Sequence, residues 1–141
     1  MGEHPSRLAA RDPATPGPNP PSSRAVARAA ALDVAAVLVF AGVGRASHAE
    51  GVSPLGIALT AWPFVAGAAL GWGAAWSRYR TPPLSPLHGI PVWLGAVGLG
   101  MVLRALTGQG TAPAFVLVAS AVLGLLLLGW RAAATGMGAR G

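Results

Sequence analysis

The sequence predicts an all-α membrane protein: a four-transmembrane-helix bundle of two helical hairpins, with the N and C termini cytoplasmic. Three observations lead there. Of the 141 residues, 53% are hydrophobic, and the mean hydropathy is +0.56. Only 10% are charged, against about 25% in soluble domains. The apolar residues fall into four runs joined by short loops. So few charges cannot cover a globule in water, whereas lipid favours such a surface.

The elements follow in order. Met1–Ser23 holds six prolines and little to bury, so residues 1–24 read as a disordered tail. The transmembrane domain covers 25–131. Its first helix, 25–45, has a length problem. A span needs about 20 residues, yet the uncharged run Val34–Gly44 gives roughly 16 Å of helix. A window starting at Ala25 encloses Asp33 and lets Arg28 snorkel to the headgroups. A window starting after Asp33 draws in Arg45, His48 and Glu50. The first is preferred. It places Asp33 about 8 Å deeper than Arg28 and about 18 Å from Arg45.

The second helix, 55–76, carries no formal charge. Pro63 withholds a hydrogen bond from the Leu59 carbonyl, which predicts a kink. The third, 90–106, starts with Pro91 in its first turn, where a missing N–H costs nothing. Arg104 then lies about 20 Å along, drawn into the outer edge of the hydrocarbon. The fourth, 113–130, is again uncharged, and 132–141 forms a short basic tail. In lipid every backbone amide must be satisfied within its segment, so these spans are helices. Short loops make consecutive helices antiparallel neighbours.

Arginine supplies all ten basic residues. Eight of them, at positions 7, 11, 24, 28, 78, 80, 131 and 140, fall on one side of an even-span topology. Arg45 and Arg104 fall on the other. The positive-inside rule puts the larger set in the cytoplasm, with Trp72, Trp76, Tyr79, Trp93 and Trp130 as a belt on that face and Trp62 on the outer one. Complete use of arginine over lysine points to a bacterial genome of high GC content, hence to the cell membrane. The basic residues flank apolar runs and form no stripe, so nucleic acid is not an expected partner; the lipid bilayer is. The absence of cysteine excludes disulfides and thiol chemistry.

Both ascending helices end in arginine, and both descending ones are clean. The stretches Thr60–Trp72 and Thr111–Trp130 also rhyme, which suggests a parallel internal repeat. Gly67 with Gly71, and Ala96 with Gly100, are small-xxx-small pairs suited to close packing within the bundle.

Several fragments in order are Asp33, "FAGVGRASH" (Phe40–His48), "WPFVAG" (Trp62–Gly67), "GIPVW" (Gly89–Trp93), "GMVLR" (Gly100–Arg104), "FVLVA" (Phe115–Ala119) and "GWR" (Gly129–Arg131). Together they resemble a bacterial membrane-protein family catalogued as domain of unknown function 3054. The resemblance covers Asp33 to Arg131. It implies a four-helix integral membrane protein and no known activity.

Two sets of residues are candidates for function. Arg45, His48, Glu50 and Arg104 gather at the outer side. They serve either as interfacial anchors, or as an anion or headgroup site, or as a helix lock through Glu50. Guanidinium groups take carboxylate and phosphate in bidentate fashion. Asp33, an intramembrane carboxylate, is a candidate proton or cation site. Otherwise it has a structural partner among Arg28, Arg78, Arg131, Trp72, Trp76 and Ser77. The topology separates His4, His48 and His88, so no metal site assembles. Ser47 and His48 lie opposite Asp33, which excludes a triad. No catalytic residue and no cofactor is expected. The functional expectation is binding or transport of a small solute or lipid headgroup. Transport would need an oligomer, since four short helices enclose little volume. The alternative is a non-catalytic accessory subunit of a larger membrane complex.

Overall fold

A computed structural model describes residues 19–47 and 51–138. Among them every regular element is helical, and four helices are long and apolar enough to cross a membrane. They are α1 (Ser23–Ser47), α2 (Pro54–Tyr79), α3 (Pro86–Leu106) and α4 (Pro113–Gly138).

Local signals start and stop them. The Ser53 hydroxyl accepts from the Gly56 N–H at 3.0 Å, with Pro54 at the first helical position. Ser85 caps α3 in the same way, accepting from His88 at 3.3 Å ahead of Pro86. A proline there fixes φ and removes an N–H that would have no helical partner. Arg80 ends α2 in the left-handed region, at φ 57°, donating its N–H to the Trp76 carbonyl.

Two features differ from the sequence reading. Ser85 and Pro86 start α3 earlier than the apolar run at Ile90, so Pro91 sits inside the helix rather than in its first turn. Arg104 is then about 27 Å from the helix start, close to the roughly 30 Å thickness of a bilayer core. A helix of that length would carry Arg104 closer to the far edge of such a core than a start at Ile90 would. In addition, α4 continues past Trp130 to Gly138. The chain stays helical through Pro63, which is buried.

Antiparallel packing brings the start of α1, the end of α2, the start of α3 and the end of α4 together; this is termed the Asp33 end. The opposite, Arg45 end holds the other four helix ends. Between them lies a core that includes Val37, Phe40, Phe64, Val92, Leu123 and Leu127. Phe40 meets Phe64 edge-on at 5.3 Å, a favoured aromatic geometry.

The tightest contact joins α2 to α3. A Cβ built on Gly67 would lie 2.3 Å from the Gly95 carbonyl oxygen, and one on Gly71 2.4 Å from that of Pro91. Only glycine allows the backbones so close, as the small-xxx-small spacing anticipates. Here α3 widens into a π-helical turn, Gly95–Leu99. The Trp93 indole, donating to the Ser120 carbonyl at 3.0 Å, ties α3 to α4.

Candidate functional site

At the Asp33 end a buried carboxylate is fully engaged. Asp33 faces inward two to three turns into α1, among the buried positions Ala29, Val37 and Phe40. Arg131 approaches from α4 in bidentate geometry: Nη1 donates to Oδ1 and Nη2 to Oδ2, each at 2.7 Å. The Trp72 indole donates to Oδ2 at 2.7 Å and the Trp130 indole to Oδ1 at 2.9 Å. Each carboxylate oxygen thus accepts one guanidinium and one indole N–H. Arg131 has no exposed surface, and its Nε donates to the Pro83 carbonyl at 2.8 Å. Its Nη1 also donates to the Leu127 carbonyl, and its Cζ stands 4.5 Å from the Trp130 ring centroid. A Cβ on Gly89 would lie 2.7 Å from Arg131 Cδ, so this glycine makes room for the arginine stem.

The cluster ties α1, α2, α4 and the α2–α3 loop into one unit. Of the partners named from sequence for Asp33, Arg131 and Trp72 are present, and Trp130 joins them. Consecutive residues on a helix point about 100° apart. Trp130 and Arg131 can therefore approach one carboxylate from two sides. His88, at this same end, stacks on Tyr79 with ring centroids 4.4 Å apart.

At the Arg45 end each arginine folds over the turn that follows it. Arg45 Nε donates to the Gly51 carbonyl at 3.0 Å, and its Nη1 reaches Thr60 Oγ1 at 3.4 Å. Arg104 donates to the Gly110 carbonyl from Nη2 at 3.0 Å and from Nε at 3.3 Å, and to Gln109 Oε1 at 2.8 Å. Both arginines thus bond the carbonyl of a glycine six positions on, and a helix opens at a proline three further. The pattern R-x5-G-x2-P occurs at Arg45–Gly51–Pro54 and again at Arg104–Gly110–Pro113. The same spacing thus occurs in both turns. It marks the turns, whereas the rhyme seen from sequence compared the descending helices.

Arg104 is also held from below, its Cζ 4.5 Å from the Phe115 ring centroid and 5.7 Å from that of Phe64. A cation over an aromatic face is stabilised by the ring quadrupole. Together Arg45 and Arg104 line one cavity of about 550 Å³. Thr60, Gln109 and Gly110 add polar groups, and Phe40, Leu59 and Phe115 add apolar ones. The two arginines named from sequence are therefore brought to one site. The assignments of His48 and Glu50 lie outside the described residues. Asp33 belongs to the other end. Among the described residues no three His, Asp or Glu side chains gather as metal ligands.

The family model described as Protein of unknown function (DUF3054) matches residues 30–134. That interval contains both arginines of the cavity and the whole Asp33 cluster. No curated protein and no solved structure matches the chain.

Proposed function

We propose, for a chain that belongs to the DUF3054 family, a multi-pass membrane protein that binds an anionic group at the Arg45 end of its bundle. Four helices long and apolar enough to cross a bilayer supply the scaffold. The positive-inside distribution of arginine puts both termini in the cytoplasm and the Arg45–Arg104 cavity on the outer side. A small solute or a lipid headgroup bearing phosphate or carboxylate is the ligand.

One observation carries this reading: a single cavity has walls from both Arg45 and Arg104, each contributed by a different hairpin. Its volume, about 550 Å³, falls within the roughly 300–1,000 Å³ common for ligand sites. Guanidinium groups recognise planar and tetrahedral oxyanions through paired N–H donors. Each arginine is fixed to a turn carbonyl, so little side-chain freedom is left to lose on binding. In this reading Asp33 is the anchor of the opposite end: its carboxylate already accepts four N–H donors.

The test is thermal stability of detergent-purified protein against inorganic phosphate and phosphatidylglycerol. A ligand that binds only the folded state adds about 2.7 kcal/mol at a hundred times its Kd, which is a readable rise in Tm. The rise is expected in the parent and lost in the Arg45→Gln/Arg104→Gln variant. A double variant that responds like the parent would remove the site.

A further inference from the structure

We infer that the occupant of the Arg45–Arg104 cavity is an anionic amphiphile: an oxyanion head between the two guanidinium groups and one apolar chain against Phe40, Leu59 and Phe115. The inference rests on the anion-binding reading and goes further, because it assigns the rest of the cavity.

The cavity lining is part polar and part apolar. Gln109 and Gly110 belong to the α3–α4 turn, Arg45 stands near the end of α1, and Thr60 lies further in, on α2. Phe40 lies more than one turn below Arg45 on α1, and Phe115 near the start of α4; their rings meet at 6.2 Å. A bare tetrahedral anion has a volume on the order of three waters, at about 30 Å³ each. It would fill roughly a sixth of the cavity of about 550 Å³ and leave the phenylalanine rings facing trapped water. A ligand that also covers the rings removes that unfavourable contact. Arg104, seated on Phe115 at 4.5 Å, joins the two parts of the site: the same side chain fixes the charge above and the ring below.

Gly44 provides a way to separate the head from the chain. It lines the cavity, and among the described residues a Cβ built on it meets nothing within 4 Å. Gly44→Leu should therefore fold, since leucine is also the better helix former. It would occupy the chain's space and leave in place the bonds from Arg45 to Gly51 and from Arg104 to Gly110.

The experiment compares inorganic phosphate, octyl phosphate and octyltrimethylammonium as probes, by Tm, in the parent, Gly44→Leu and Arg45→Gln/Arg104→Gln proteins at equal detergent. Octyl phosphate is expected to raise the parent's Tm at about a tenth or less of the phosphate concentration needed for the same rise, a factor worth about 1.4 kcal/mol. Gly44→Leu should lose that advantage and keep any response to phosphate. The arginine variant should lose both, and octyltrimethylammonium should stabilise none of them. Equal, arginine-dependent responses to phosphate and octyl phosphate would overturn the amphiphile and leave the anion site standing. An octyl phosphate response unchanged in Gly44→Leu would also overturn it. Responses indifferent to the arginine substitutions would overturn both.

Discussion

Replacing Asp33 by asparagine keeps the shape of the side chain and tests the whole Asp33 cluster. The carboxylate accepts four N–H donors, two at each oxygen. Asparagine offers one oxygen and one NH₂ group. Whichever way the amide turns, its NH₂ faces one indole N–H and one guanidinium N–H, donor against donor. Arg131, with no exposed surface, would keep its full charge and lose its counter-ion. Removing one partner of a buried ion pair costs about 3–5 kcal/mol, and asparagine should cost as much as alanine. Arg131→Met in the parent leaves Asp33 with the two indoles alone and should cost a similar amount. The double variant Asp33→Leu/Arg131→Met should recover part of the loss: exchanging a buried ion pair for apolar groups is often neutral, but here the Trp72 and Trp130 indoles and the Pro83 carbonyl lose their partners. Equilibrium unfolding in mixed detergent and SDS micelles measures all four proteins. An Asp33→Asn protein within about 0.5 kcal/mol of the parent, the range of ordinary surface changes, would show that the cluster does not hold the bundle together.

Other predictions follow from the same geometry. Gly67→Ala places a methyl 2.3 Å from the Gly95 carbonyl oxygen and should lower Tm by forcing α2 from α3. Gly73→Ala, on the same helix with nothing within 4 Å, should raise stability by about 0.5–1 kcal/mol through helix propensity. Trp72→Phe and Trp130→Phe each delete one donor to Asp33 and should cost about 1.5–3 kcal/mol, the range for bonds to charged groups. Reporter tags at 51–53 and at 81–84 should be labelled from opposite sides of the membrane; labelling from one side would refute the four-span topology.

The four helices were legible because each apolar run is long and bounded by polar or proline-containing loops. Their limits were less legible. The α3 start was missed because Ser85 and Pro86 precede the apolar run, although serine before proline is itself a helix-start signal. Asp33 could be placed in the first helix from span length alone. Its partner is not legible: of the eight arginines on that side, Arg28, Arg78 and Arg131 are all candidates, and the one used lies 98 positions away. The packing of α1 against α4 decides it, and no sequence spacing records that packing. Trp130, a tryptophan near a helix end, reads from sequence as a belt residue and not as a partner of Asp33. Arg45 and Arg104 each stand near the end of an odd-numbered helix, and both line one cavity. Their bonds to Gly51 and Gly110 came only with the turn geometry.

The distance along the chain between Asp33 and Arg131 also sets a timetable for synthesis. Ribosomes add about 5–20 residues per second, so a carboxylate committed to α1 waits on the order of 5–20 seconds for the cation 98 positions downstream. Until then the carboxylate has the Trp72 indole to accept from but no counter-ion, and a buried charge without its partner is costly. A chain cut short before α4 would lack both the Trp130 and the Arg131 donors.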